Sequence, residues 1–180
     1  MAVQKLDVNR APVLTLWGAV VAERLGYDRA TALTLGRAVA GLNAQAKGRR
    51  LGVFGEPAEP ARGATERPGA RGARRRERLV PLLGRAVPAV ETARGLRAAE
   101  GGRAVSPTSV ERYLRGKFGA ALPDVRAAMR ALAGAYEPAR LEAVAFALYE
   151  RFRPDIPAGV RGWGAKGVLD LDLVRSLAAE

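Results

Sequence analysis

"PVLTLWGAVVAERLGYDRATALTLGRAVAGLNAQA", residues 12–46, decides the fold, because it reads as two helices joined by a two-residue turn, an antiparallel or angled pair. Pro12 suits a first helical turn. Val13, Leu16, Trp17, Val20, Val21 and Leu25 recur at three- and four-residue spacing, and Gly26 stops the run. Asp28 is a good N-cap for a second helix, whose stripe is Ala32, Leu35, Val39, Leu42 and Ala46. Small residues repeat at i,i+4 on both helices: Gly18 and Ala22 on the first, Ala32, Gly36 and Ala40 on the second. Such rows weaken a helix taken alone but let two backbones approach closely. A helical hairpin is therefore predicted over residues 1–54. One partner helix cannot cover the first helix, so its remaining apolar surface needs either the C-terminal part of the chain or a second copy. The second choice would be a homodimer through residues 12–46.

A helix, a short turn and a second helix also invite a helix-turn-helix reading. The outward face of the second helix offers Arg29, Thr34, Arg37 and Gln45, with Ala30, Ala38 and Gly41 between them. That is too sparse to read base edges in a major groove, and an ordinary packing hairpin fits better. The stretch "LNAQAKGRRLG" (42–52) closes the second helix with Lys47, Arg49 and Arg50. Cations there complement the negative end of the helix dipole, and Gly48 or Gly52 can serve as a left-handed cap. The same cations can also reach a phosphate backbone.

Residues 55–78, "GEPAEPARGATERPGARGARRRER", hold almost no large apolar side chain. Such a segment cannot bury enough surface to offset its ordering entropy, so a flexible basic linker is expected. Its cluster Arg74, Arg75 and Arg76 could lie along phosphates. A solvated tether is the plainer use of the same residues.

Residues 79–180 open with short strand-like pieces at 79–83, 86–91, 95–99 and 103–106, separated by turn residues that suggest a small antiparallel meander. Pro81 and Pro88 should confine those pieces to edges or ends, leaving two or three strands at most. Helices follow. Thr108 and Glu111 have capping-box spacing, starting a helix that Gly119 ends. Pro123 opens a second helix with Val125, Met129 and Leu132 on one face. Pro138 opens a third whose stripe is Leu141, Val144, Ala145, Leu148 and Phe152, with Phe146 and Tyr149 beside it. The class expected is mainly α (α+β): an N-terminal helical hairpin, a basic linker and a C-terminal helical domain carrying a small β-meander.

A Gly-rich turn near the end carries Arg161, Trp163 and Lys166 before a terminal helix near Asp172. Gly159, Gly162, Gly164 and Gly167 could turn backbone N–H groups inward around an anion, and Trp163 could stack on a base. The spacing is not that of a Walker motif. Trp163 as an apolar anchor for the loop is the more ordinary use.

The chain has 180 residues, a formal net charge of +12, no His and no Cys. Of its 30 basic residues only Lys5, Lys47, Lys117 and Lys166 are lysine, a bias a GC-rich genome would also write. The net excess is the better signal of nucleic-acid contact. It amounts to +5 over residues 1–54, +3 over 55–78 and +4 over 79–180, so it is densest ahead of the C-terminal part. Without His or Cys there is no imidazole base, no Ser-His-Asp triad, no thiolate or His-bound metal and no disulfide. Asp170 and Asp172 look like helix-capping carboxylates. The reading is of a non-enzyme with no cofactor and no metal. No apolar run is long enough to cross a bilayer, and the N-terminus lacks the order of a signal peptide, so a cytoplasmic protein is expected.

Three functions fit. The first is sequence-tolerant nucleic-acid binding, DNA more than RNA, by Arg37, Lys47, Arg49, Arg50, Arg74, Arg75, Arg76, Arg161, Trp163 and Lys166. The second is a protein–protein assembly module docking through the apolar hairpin. The third is a binder of a small anionic ligand at the Trp163 loop.

Overall fold

The computed structural model describes residues 4–50, 77–160 and 164–180, with the side chains of Arg49 and Arg50 excepted. Two helices form its middle: α1 (Arg10–Arg24) and α2 (Arg29–Arg50). Every residue of α1 from Pro12 to Ala22 is buried, so the broad apolar surface read from the sequence is in fact the whole circumference. A helix apolar on all sides belongs in a core. The turn between the helices follows its residues closely. Gly26 takes φ +107°, its N–H donates to Glu23 O, and Tyr27 N–H donates to Ala22 O, which is a Schellman closure. Asp28 then accepts from the Thr31 N–H at 3.2 Å, as an N-cap should.

The small-residue rows bring the two helices together. A Cβ on Gly18 would sit 2.9 Å from the Gly36 Cα, and one on Gly36 would sit 2.6 Å from the Ala19 amide nitrogen. α2 does not stop where the sequence suggested. It runs on through Lys47 to Arg50, so Gly48 lies inside the helix and is not its cap.

The predicted meander is present with four strands, one more than the two prolines were expected to permit. β2 (Glu77–Leu82), β3 (Arg85–Thr92), β4 (Gly95–Glu100) and β5 (Arg103–Ala104) pair antiparallel in chain order. Pro81 sits on the edge strand β2. Pro88 lies on β3 one residue before its ladder with β4 begins at Ala89, where a missing N–H costs that ladder nothing. The link from β4 to β5 turns through Gly101 and Gly102, both at positive φ, the backbone that two-residue hairpins prefer. Glu77 and Arg78, assigned to the linker by composition, open β2. The rest of that segment, 55–76, lies outside the described residues.

One sheet had no counterpart in the reading. β1 (Lys5–Asn9) pairs antiparallel with β6 (Lys166–Asp170), Leu6 opposite Leu169. β6 leads into α6 (Leu171–Leu177), capped by Asp170, which accepts from the Asp172 and Leu173 N–H groups.

The expected helices follow the meander as α3 (Pro107–Phe118), α4 (Leu122–Gly134) and α5 (Pro138–Phe152). They enclose α1: Trp17 is fully buried, donates from Nε1 to Ala145 O on α5 at 2.9 Å and meets Phe152 edge-on at 5.3 Å. Of the two covers the sequence allowed for α1, the chain supplies its own. The cap of α3 is Ser106, whose hydroxyl accepts from Ser109 N–H, and not the Thr108–Glu111 box. Glu111 instead collects Arg126 at 3.0 Å, Arg29 at 3.3 Å and Arg115 at 3.8 Å, tying α2, α3 and α4 together.

Burial raises the Glu111 carboxyl, but Arg126 and Arg29 more than offset it and hold it below its usual range. A depressed folded pKa means that the unfolded chain binds the extra proton. The stability from this cluster is complete above the unfolded value of about 4.3 and falls away as the pH drops through the folded one. Glu111→Gln should therefore weaken the fold by about 1–2 kcal/mol at neutral pH, leaving Arg126 short of a charged partner. The difference from wild type should shrink below about pH 4. Urea unfolding across that range reads both effects.

Candidate functional site

α2 is buried from Thr31 to Ala40, Arg37 excepted, and then emerges. Its first turns are held by polar bonds as well as packing. Thr34, placed on the outward face by periodicity, is fully buried: its hydroxyl donates to Thr31 O at 2.8 Å and accepts from Ala98 N–H of β4 at 2.9 Å. Thr31 is equally buried, its hydroxyl proton shared between Asp28 Oδ1 and Leu96 O, each 2.7 Å away. That Thr31 bond is the main reason the Asp28 carboxyl lies below its usual range. Arg97, almost fully buried, donates to Thr31 Oγ1, Leu96 O and Arg94 O. With β4 lying on its flank and Arg29 paired to Glu111, the first turns of α2, where a recognition helix reads bases, have no free face to offer a major groove.

Arg37 is different. It is half-buried where α2 meets α3, and its guanidinium carbon lies 4.6 Å from the centre of the Tyr113 ring. The Lys117 amine stands 5.9 Å from the same ring. Ser109, Tyr113 and Lys117 fall four residues apart, along one stripe of α3. Across from them the β4–β5 hairpin brings Glu100 and Arg103, which are register partners. Between α2, this hairpin and α3 lies a cleft of about 360 Å³, with Val105 and Val110 also in its lining. Burial pushes the Tyr113 hydroxyl up despite the opposing Arg37 charge, so at neutral pH it keeps its proton and can donate as well as accept.

The charges around this cleft are not neutralised within the fold. Among the described residues, no carboxylate lies within ion-pair distance of Arg37, Arg103, Arg112 or Lys117. Arg103, Arg112, Arg115 and Lys117 are exposed, and only Arg115 has an acidic partner, Glu111 at 3.8 Å. The cleft can thus offer cations and hydroxyls to an anion, with one carboxylate at its edge.

The other residues singled out in the sequence are not gathered here. Lys47 is exposed on the emergent part of α2, ten residues beyond Arg37 and so about 15 Å along the axis. Lys166 is exposed on β6, opposite Asn9 of β1, in the other sheet. The side chains of Arg49 and Arg50, and all of Arg74, Arg75, Arg76, Arg161 and Trp163, lie outside the described residues. Gly167 does not serve an anion cradle. It is a strand residue where a Cβ would come 2.6 Å from Asp155 O, and this close approach accounts for the glycine.

Asp170 and Asp172 are accounted for as well, the first by the α6 cap and the second by its ion pair with Arg175 at 2.9 Å. Among the described residues no group of three His, Cys, Asp or Glu stands close enough to hold a metal ion, and no helix is long and apolar enough to cross a membrane.

Sequence reasoning found Arg37 and missed Glu100, Arg103, Tyr113 and Lys117. A signal existed in "SVERYLRGKF" (109–118), where one aromatic sits among three exposed cations, the interleaving that backbone-tracking surfaces use. No protein-family model matches the chain, and no curated protein or solved structure is significantly similar to it.

Proposed function

We propose that the protein is a non-enzymatic, largely sequence-tolerant nucleic-acid binder that acts in the cytoplasm and takes DNA in preference to RNA. What supports this reading above all is a set of cations that have no acidic partner among the described residues: Arg37, Arg103 and Lys117 at the α2–α3 cleft, and Arg112 on α3. Exposed cations are ordinarily solvated, so it is their grouping without carboxylates that supports the reading, since it leaves them free for phosphates. Lys47, Arg49 and Arg50 at the end of α2 extend the same positive character along the helix, and Arg74, Arg75, Arg76, Arg161, Trp163 and Lys166 are the further contacts proposed.

A salt series against unrelated duplexes tests the reading. Micromolar to 0.1 millimolar constants near physiological salt are expected. A Lys47/Arg49/Arg50 triple-alanine variant should bind every sequence more weakly by a similar factor, with the salt slope reduced by about one unit per lost phosphate contact. Unchanged affinity and slope would return those three residues to plain helix-end duty. A wild-type protein that binds neither DNA nor RNA under these conditions would end the proposal.

The assembly-module reading, and the homodimer through residues 12–46 with it, rested on unsatisfied apolar surface in the hairpin. That surface is spent inside the fold, around Trp17. The anionic-ligand reading at the Trp163 loop loses Gly167 as a cradle residue.

A further inference from the structure

We propose that the cleft between α2, β5 and α3 holds a single nucleotide of an unpaired strand and favours bases that carry an exocyclic amino group; this rests on the nucleic-acid reading above. The starting observation is a juxtaposition of charge. Glu100 shares the cleft with Arg37 and Arg103, yet no ion pair joins it to either. Arg103 is its register partner across a two-residue turn, the position from which opposite charges commonly pair. Arg37 is held back against the Tyr113 ring at 4.6 Å. Both signs of charge are therefore available to a ligand in one space.

A ligand matching that space bears an anion for Arg103 and Arg37 and a hydrogen-bond donor for Glu100. A nucleotide of cytosine, adenine or guanine has both, a phosphate at one end and an amino group on the base. A carboxylate accepts from such an amino group as it does from the N4 amine of cytosine. Thymine has no amino group, and its one base donor, N3–H, lies between two carbonyl oxygens that would face the same negative charge, so it suits Glu100 less well. Size points the same way. About 360 Å³ stands near the lower end of small-ligand sites, enough for one nucleotide and far too little for a duplex. In a duplex one amino hydrogen stays accessible in the major groove, but the base is stacked and cannot enter a cleft of this size, so only an unpaired strand can turn a whole base into it. Val105 and Val110 supply apolar lining for the base, and Tyr113 and Ser109 add hydroxyls.

The test uses the full chain and four probes: a single-stranded DNA oligomer of cytosine and adenine, a thymine oligomer of equal length, a duplex of that length, and free deoxyadenosine monophosphate. The wild type should bind the cytosine–adenine strand about tenfold more tightly than the thymine strand, and more tightly than the duplex. Glu100→Ala removes the acceptor, where glutamine would keep an amide oxygen able to take an amino proton; the position is exposed, so the fold should be undisturbed, which circular dichroism can verify. It should erase the preference by weakening the first strand while leaving the thymine strand unchanged or slightly tighter, a split that no loss of folding would produce. Arg103→Ala should weaken both strands alike.

Equal affinity for both strands and the duplex, indifferent to Glu100, would overturn the cleft as the nucleotide site and leave general nucleic-acid binding standing. Binding of the free mononucleotide with Glu100 dependence, but of no strand, would overturn the strand as its occupant. No binding of any probe would overturn both readings.

Discussion

Gly36→Ala should cost the protein its cooperative fold. The added methyl group would collide with Thr15 O and come 2.6 Å from the Ala19 amide nitrogen and 3.2 Å from the Ala19 Cα. All three are backbone atoms of α1, so no side-chain rotation can relieve the contact. The two helices would have to separate, and α1 has nowhere to go because its whole circumference is packed. Overpacking a core with a methyl group that flexible neighbours can accommodate costs about 1–3 kcal/mol. A backbone collision between two enclosed helices should exceed about 4 kcal/mol, most of the stability a small domain has. The expected readout is loss of near-ultraviolet circular dichroism and of a sharp urea transition. Gly41→Ala is the matched control: its Cβ would meet only Glu100 Oε1 at 3.6 Å, so removing a mid-helix glycine should stabilise by about 0.5–1 kcal/mol. A Gly36→Ala protein that unfolds cooperatively within about 1 kcal/mol of the wild type would contradict the α1–α2 packing described here.

Trp17→Ala should be nearly as damaging. Trp17 is fully buried, donates to Ala145 O at 2.9 Å and meets Phe152 edge-on at 5.3 Å. Its removal empties the place where α1 and α5 meet and leaves nothing to fill it, a change that costs about 3–5 kcal/mol in comparable cores. Trp17→Phe keeps most of the volume and the aromatic contact but gives up the indole hydrogen bond, so a loss of about 1–3 kcal/mol is expected. The chain has only two tryptophans. Trp163→Phe therefore isolates the Trp17 emission, which should be blue-shifted and resistant to acrylamide. Red-shifted, readily quenched emission would mean that the C-terminal helices do not close over α1.

Local chemistry was the legible part of the fold. Gly26 and Asp28 mark the hairpin turn because each satisfies a backbone requirement of its own. The strands of the meander show for the same reason, since the turns between them are short and their partners lie nearby in sequence. The β1–β6 pairing was hidden because each strand is five residues long and the partner lies far along the chain. No local pattern carries that information. Thr34 misled for a related reason: a threonine on an outward helix position reads as solvated until β4 delivers the Ala98 N–H to it. Gly48 read as a stop because glycine so often is one, yet the helix passes through it. In the cleft, Arg37 stood out as a cation on the outward face of α2. Tyr113 and Lys117 taken singly carried no local signal of their own, and only the packing of α3 beside α2 shows what they face.

The burial of α1 on every side has a consequence for the protein's synthesis. A ribosome delivers α1 and α2 first, while the helix supplying Ala145 and Phe152 follows more than a hundred residues later. At about 5–20 residues per second, α1 waits on the order of ten seconds before α5 closes over it, for most of that time with α2 as its main cover. During that interval Trp17 and its apolar neighbours are exposed in a crowded cell, where such surfaces associate. The nascent chain is thus a natural client for holding chaperones, and translation that pauses before α5 should favour aggregates over folded protein.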